Sequence, residues 1–370
     1  MSDLDKKFMK AALWQAKKGL GRTSPNPVVG AVIVLGKKII ATGYHRQAGM
    51  PHAEIEALTK LGESGARGAT LYVTLEPCNH HGRTPPCTEA ILKSGLRRVV
   101  IGMKDPNPHV AGCGCEFLRD RGIQVVTGVL EKQCQRLNEA FIKFISANRP
   151  FVISKSALTL DGWTATSTGH SKWITSKKSR DFVHRLRDQV DAVMVGIGTV
   201  LTDDPRLTTR LEKKSAKDPK RIILDTNLRT PITAKIVNHD SSEDTYLVVD
   251  EKLSMDRRSS FVKKGVKLIL NPTKNGRIDL PVLLDHLAQI SVSSLLVEGG
   301  ANILGSFIKE NMIDKFYIFK SPKILGGDDG IPLAAGHGAK KMDESISLTD
   351  LNYQRFGDDI LITGYPVYHF

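Results

Sequence analysis

Two short segments hold the residues best suited to chemistry. "PHAEIEAL" at 51–58 sets His52 two residues before Glu54. "LEPCNHHGRTPPC" at 75–87 encloses two histidines, an arginine and several glycine or proline breaks between Cys78 and Cys87. A catalytic zinc takes three protein ligands and keeps one position open, whereas a structural zinc is closed by four. One histidine and two cysteines suit the open form. His52 directly precedes a predicted helix, and Cys87 follows Pro85 and Pro86 at the predicted start of another. Free N–H groups and the dipole at a helix start favour thiolate, the form that binds metal. Glu54 is near enough to His52 to reach water at such a metal, where a carboxylate can accept a proton and pass it on. This is the outline of hydrolytic deamination. A purely structural zinc would leave Glu54 with no reason to accompany His52.

These segments must be held where strands give way to helices. Phe8, Ala11, Ala12 and Ala16 recur at helical spacing in 4–18, which predicts an amphipathic helix. Apolar runs at 28–34 and 39–44 follow, then helices near 53–61, 87–94, 115–121 and 131–146 interleaved with strands at 70–75, 98–102 and 123–127. The alternation predicts an α/β fold. "ANRP" at 147–150 reads as a short connection, which sets the expected domains at 1–147 and 148–370. In the second, strands are expected over "FVISKSA" and at 191–195, 221–225, 245–249, 266–270, 294–297, 315–320 and 358–363. Helices are expected near 176–188, 280–289 and 301–310.

At 370 residues with 41% hydrophobic content, the chain is long enough for two packed cores. Its apolar runs fall short of a membrane span, and the charged N-terminus does not read as a signal peptide. A cytoplasmic protein without a membrane partner is therefore expected. All five cysteines lie in the first 140 residues, which in a reducing compartment favours metal or buried thiols over disulfides. Both halves are basic, with 21 Lys and Arg against 12 Asp and Glu in 1–147 and 32 against 27 in 148–370. Aromatic content is only 6%, too little for the stacking platform of a nucleic-acid binder. The charge is better suited to phosphorylated small molecules, and no specific nucleic-acid partner is expected.

The H-x-E and P-C elements match the signature of zinc deaminases, although eight residues rather than two separate Cys78 from Cys87. "TSPNPVVGAVIV", "GYHRQAGMPHAE" and "TLEPCNHHGRTPPC" together resemble the deaminase domain of the bifunctional riboflavin-biosynthesis deaminase–reductase family. The resemblance implies a cytidine-deaminase-like α/β/α domain holding one zinc on His52, Cys78 and Cys87. Glu54 would be the proton shuttle, and Asn26 would line the pyrimidine pocket. His80, His81 and Arg83 are expected to touch the substrate or its phosphate. Cys113 and Cys115 read as thiols at a helix start rather than as ligands, and His45 as either loop packing or a site-lining group.

The second half lacks the G-x-G-x-x-G fingerprint of dinucleotide-binding folds. "SSLLVEGGANILGSF" does run from a strand through Gly299 and Gly300 into a helix, a turn that brings backbone N–H groups close to a phosphate. With "SKSALTLDGWTA", "SKWITS", "RLRDQVDAVMVGIGTVLTDDPRLTTR" and "KILGG", it resembles the reductase domain of the same family, a dihydrofolate-reductase-like α/β fold. The resemblance implies NADPH near Ala157, Trp173, Thr199, Asp203 and Gly300. It implies substrate near Ser171, Arg187, Leu207, Arg210 and Glu298, the two arginines forming a phosphate clamp. Lys155, Asp203 and Glu298 all remain open as the acid that accompanies hydride transfer. The implied reactions are deamination of 2,5-diamino-6-ribosylamino-4(3H)-pyrimidinone 5′-phosphate and reduction of its ribosyl group to ribityl. The product is 5-amino-6-(5-phosphoribitylamino)uracil, and a homo-oligomer, a dimer in form, is expected.

Overall fold

Residues 2–62, 65–80, 85–107, 113–212 and 215–368 are described by the computed structural model. They divide into two compact units, one ending at Arg149 and the other beginning at Pro150.

The first unit opens with α1 (Asp3–Ala16), capped by the Ser2 hydroxyl, which accepts from the Asp5 N–H. There follow β1 (Gly30–Leu35), β2 (Lys38–Tyr44), α2 (Ala53–Thr59), β3 (Thr70–Leu75), α3 (Cys87–Lys93), β4 (Arg98–Met103), α4 (Cys113–Asp120), β5 (Gln124–Val126), α5 (Glu131–Leu137) and α6 (Glu139–Ala147). The sheet order is β2-β1-β3-β4-β5, antiparallel on the β1 side and parallel from β3 to β5. β1, β3 and β4 are buried along almost their whole length, as strands covered on both faces must be. Phe8, Met9, Ala12 and Leu13 of α1 join that core. The single helix expected over 131–146 is broken at Asn138. Its side chain accepts from the Val28 N–H at 2.7 Å and donates to the Val28 carbonyl at 3.0 Å, so the chain restarts as α6.

Asp5 ties α1 to the sheet. Its carboxylate receives both terminal nitrogens of Arg98 at 2.8 and 3.1 Å and the Tyr72 hydroxyl at 2.9 Å. The Arg98 guanidinium is the main cause that holds the carboxyl at about 2, below its ordinary 3.8. A depressed carboxyl adds stability above its unfolded value and loses it as pH falls through the folded one. Asp5→Asn should therefore melt earlier than the parent near neutral pH, with the gap closing as pH falls towards 2. Melting curves across that range test this, and a gap that stays constant would rule it out.

The second unit contains β6 (Phe151–Leu158), β7 (Trp163–Ala165), α7 (Lys177–Arg187), β8 (Ala192–Gly196), α8 (Ile197–Asp203), β9 (Lys220–Leu224), β10 (Thr245–Asp250), α9 (Met255–Lys263) and β11 (Lys267–Asn271). It continues with β12 (Thr273–Lys274), β13 (Arg277–Ile278), α10 (Leu280–Gln289), β14 (Ser294–Glu298), α11 (Ala301–Lys309), β15 (Lys315–Lys320), β16 (Ile331–Pro332), β17 (Ser347–Phe356) and β18 (Asp359–Val367). Nine strands form one sheet in the order β11-β10-β9-β8-β14-β6-β15-β18-β17, parallel as far as β15 and antiparallel beyond it. All parallel strands therefore end on one edge, the edge where ligands of open α/β sheets bind.

Candidate active sites

His52 occupies the N-cap of α2, and Cys87 is the first residue of α3, following Pro86. Cys78 lies just beyond β3. Two helix starts and a strand end thus converge, and one ligand atom from each of the three lies within 4.8 Å of the others. His52 Nδ1 is 3.2 Å from Cys87 Sγ and 3.6 Å from Cys78 Sγ. Ordinary zinc bond lengths in a tetrahedron separate nitrogen from sulfur by about 3.6 Å, so the donor set fits zinc in chemistry and spacing. Cys87's thiol and backbone N–H both donate to Cys78, which hold the Cys78 thiol well down, to about 4, and push Cys87 up. Cys78 in turn raises His52 to about 8.

Glu54 sits on the first turn of α2, 3% exposed, and burial lifts its carboxyl to about 7. α2 reaches this position because Gly43 of β2 lacks a side chain. A Cβ there would stand 2.1 Å from the Ala53 carbonyl oxygen. On the opposite side, Gly114 of α4 allows the same closeness to the Pro77 carbonyl, also 2.1 Å from a Cβ.

Asn26 Nδ2 lies 3.3 Å from Nε2 of buried His45. The His45 ring packs edge-on to His52 with centroids 5.5 Å apart. His45 is thus a neighbour of the metal ligand and of Asn26 at once. Cys115 is buried and Cys113 exposed, and neither joins the ligand group among the described residues. His80 is exposed, and His81 and Arg83 lie outside the described residues.

Three supports escaped the sequence reading. Buried Glu76 accepts from the N–H groups of Cys115 at 2.9 Å and Asp105 at 3.2 Å, fixing the turn before Cys78. The Thr88 hydroxyl donates to Asn79 at 2.7 Å while its N–H reaches the Cys78 carbonyl. Asn138 holds Val28, two residues from Asn26. The only hint in the sequence was an acidic residue set against Pro77 at the end of an apolar strand.

In the second unit, Glu298 ends β14. Arg187 of α7 grips it with Nε at 2.6 Å and Nη2 at 3.0 Å, its remaining Nη1 donating to the Thr208 carbonyl. Lys155 Nζ of β6 stands 3.9 Å from the same carboxylate. Burial alone would raise Glu298, but Arg187, with Lys155 behind it, outweighs burial and holds the carboxyl at about 2. Burial lowers Lys155. Burial and the charges of Arg187 and Arg210 bring His184 down to about 4, and its Nδ1 accepts from the Arg210 N–H. Arg210 itself is exposed.

Gly299 and Gly300 follow Glu298 with φ of 75° and 79°, a conformation suited to glycine. A Cβ on either would lie 3.6 Å from Thr199 Oγ1 of α8. Asp203, at the end of α8, pairs with Lys172 at 3.8 Å. Trp173 is 61% exposed beneath the Arg180 guanidinium, 4.2 Å from the ring centre. Lys323 of the "KILGG" segment donates to its carbonyl. The Asp161 carboxylate accepts from the Leu325 and Gly326 N–H groups. Ser171 is half-buried before Lys172, and Ala157 half-buried two residues after Lys155. Leu207, expected near the substrate, turns its side chain inward. That side chain is 3% exposed within a core cluster with Val193 and Val195, which leaves only its backbone, at φ 54°, for a ligand.

Fold and site together define a zinc-dependent pyrimidine-type deaminase unit followed by a reductase unit. Residues 2–103 match the family model of the cytidine and deoxycytidylate deaminase zinc-binding region, and residues 150–362 that of the RibD C-terminal domain. The chain belongs to the RibD family of riboflavin biosynthesis proteins, bifunctional enzymes with a zinc deaminase and an NADPH-dependent reductase. It is 45% identical to riboflavin biosynthesis protein RibD of Aquifex aeolicus over 97% of this chain and 98% of the relative. To the Escherichia coli RibD it is 38% identical over 88% and 89%. A solved Thermotoga maritima structure, a diaminohydroxyphosphoribosylaminopyrimidine deaminase/5-amino-6-(5-phosphoribosylamino)uracil reductase, superposes with TM-score 0.85 at 38% identity, covering 98% of this chain and 99% of that one. An Acinetobacter baumannii RibD structure gives 0.87 at 36%, with the same coverage. No helix among the described residues is long and apolar enough to cross a membrane.

Proposed function

We propose that residues 1–147 deaminate 2,5-diamino-6-ribosylamino-4(3H)-pyrimidinone 5′-phosphate and that residues 148–370 reduce its ribosyl group, giving 5-amino-6-(5-phosphoribitylamino)uracil. The observation that carries this reading is the meeting of His52, Cys78 and Cys87 around one point with Glu54 buried beside them. Zinc held by those three residues supplies Lewis acidity that brings water towards ionisation at neutral pH. Glu54 takes the proton of the attacking water and returns it to the departing amino group. The ring carbon exchanges its bond to nitrogen for one to oxygen, and ammonia leaves. Asn26, supported by His45, orients the pyrimidine.

In the second step, NADPH bound at this unit would supply the hydride that reduces the ribosyl carbon, an imine in the ring-opened form. The carbon–nitrogen double bond becomes single, carbon gaining hydride and nitrogen a proton. Gly300, Thr199, Asp203, Trp173 and Ala157 line the cofactor. Arg187, Arg210, Ser171, Glu298 and the backbone of Leu207 receive the substrate. Among the three acids left open, Lys155 is favoured. Glu298 is held ionised by Arg187, and Asp203 is engaged with Lys172, whereas burial makes Lys155 readier to release its proton. Arg210→Ala should raise the substrate's KM by about ten-fold, with zinc content unchanged; unaltered kinetics would remove it from the clamp.

We take the enzyme to be cytoplasmic and a homodimer. The exposed edge strand β17, with Leu351 and Tyr353 uncovered, is an available pairing surface, and sedimentation as a monomer would overturn the dimer. Mass spectrometry of the product formed from the diaminopyrimidine ribosyl phosphate with zinc and NADPH tests the whole. A product both deaminated and reduced is expected. A product only deaminated would mean that the second unit acts on something else.

A further inference from the structure

Four consecutive residues of the second unit, Leu207 to Arg210, are each fixed by a different group. The Leu207 side chain is sunk in the core at φ 54°. The Thr208 carbonyl accepts from Arg187 Nη1 at 3.0 Å, the Thr209 N–H donates to Asp218 at 2.7 Å, and the Arg210 N–H donates to His184 Nδ1 at 3.3 Å. Two of these holds come from the last turn of α7, where His184 and Arg187 stand three residues apart on one face. Asp188, which closes that helix, accepts from the Lys217 N–H at 2.9 Å and secures the chain on its return. The Thr209 hydroxyl is buried with no partner among the described residues. Leaving it so costs free energy, and the course of the segment is therefore imposed by its backbone anchors and not by its own side chains.

The anchoring serves one exposed side chain. Among the described residues the Arg210 guanidinium makes neither a hydrogen bond nor an ion pair. Burial and the charges of Arg187 and Arg206 work against its cation, and Glu298, the acid that faces it, is already gripped by Arg187. A phosphate would supply the missing negative charge. The group that holds Arg210 must then do so without adding charge of its own. A lysine at 184 would bring one more cation, and an aspartate would compete with the phosphate for Arg210. A neutral imidazole does neither. Since a backbone N–H can only donate, Nδ1 accepts and the ring proton sits on Nε2. The charged groups facing the ring are Arg187 and Asp181 of α7, Arg210 of the held segment and Glu298 of β14. Burial, then Arg187 and Arg210, prevail over the two acids and keep the half-buried ring uncharged.

We infer that His184 is a positioning residue for phosphate recognition: its Nδ1 fixes the backbone from which Arg210 reaches the 5′-phosphate of the substrate. The inference rests on the reading of Arg210 as a phosphate ligand. His184 acts through Arg210, so its contribution disappears when the Arg210 side chain is gone.

The test is a double-mutant cycle on the full-length protein, read from steady-state reduction of the deaminated ribosylamino 5′-phosphate with NADPH. His184→Ala should raise the KM for that substrate by about two- to ten-fold, with kcat, zinc content and melting temperature close to those of the parent. His184→Asn, whose side-chain oxygen falls near the place of Nδ1, should recover most of the loss. His184→Gln, whose polar end falls near Nε2, should not. Added to Arg210→Ala, the His184→Ala change should raise KM no further. An additive effect in the double variant, or recovery by glutamine in place of asparagine, overturns the positioning role. Two single variants separate the layers. If Arg210→Ala raises KM and His184→Ala does not, only the role of His184 falls; if Arg210→Ala leaves KM unchanged, the phosphate reading of Arg210 falls and takes His184 with it.

Discussion

Glu54→Gln should keep its zinc and lose about two to four orders of magnitude in ammonia release, the range that a positioned general acid–base contributes. Cys87→Ala should lose both metal and activity. The contrast follows from position. Cys87 is a member of the three-atom donor group, whereas Glu54 lies buried beside it on the first turn of α2. Glutamine keeps the shape of the side chain but cannot accept a proton from water. Metal analysis of the purified variants alongside ammonia release separates the roles. A zinc-free Glu54→Gln would make the glutamate a ligand, and a zinc-loaded, active Cys87→Ala would dismantle the site. NADPH-dependent reduction should persist in both variants, because the reductase residues lie in the other unit.

The second large effect is expected at Glu298. Glu298→Ala leaves Arg187 buried without its carboxylate, and breaking a buried pair from one side costs about 3–5 kcal/mol. The second unit should melt well below the parent and reduction should cease, while ammonia release continues. The pH dependence has a definite sign. The folded carboxyl stands at about 2 against an ordinary 4.5, so its contribution is present above the unfolded value and is lost as pH falls through the folded one. Parent and variant should therefore converge in acid. The double variant Arg187→Met with Glu298→Met should recover most of the stability, since apolar replacement of a whole buried pair is often neutral or better. It should recover none of the reduction. Restored reduction in that double variant would assign the pair to the fold alone.

Much of this was legible in the sequence because the signals were local. His52, Cys78 and Cys87 each stand at an element boundary, and the breaks at Pro51, Pro77 and Pro85–Pro86 mark those boundaries in the letters themselves. The apolar strands β1, β3, β4, β8 and β14 were equally plain. What escaped depended on partners far along the chain. α8 contains Gly198 and two threonines and is seated through buried Ile197 and Val200. α9 buries only Arg258 and Phe261. β17 shows no alternation because nearly all of it is exposed. Asn138 reads as a mid-helix residue until Val28, 110 positions earlier, is seen to claim its amide.

The close approach at Gly114 has a consequence for how the chain tolerates change. Since a Cβ there would meet the Pro77 carbonyl at 2.1 Å, any larger residue must lever α4 away from the turn that presents Cys78. In a saturation library sorted separately for protein abundance and for bound metal, Gly114 would group with the ligands and not with the core. A position carrying no side chain would thus behave as part of the coordination apparatus.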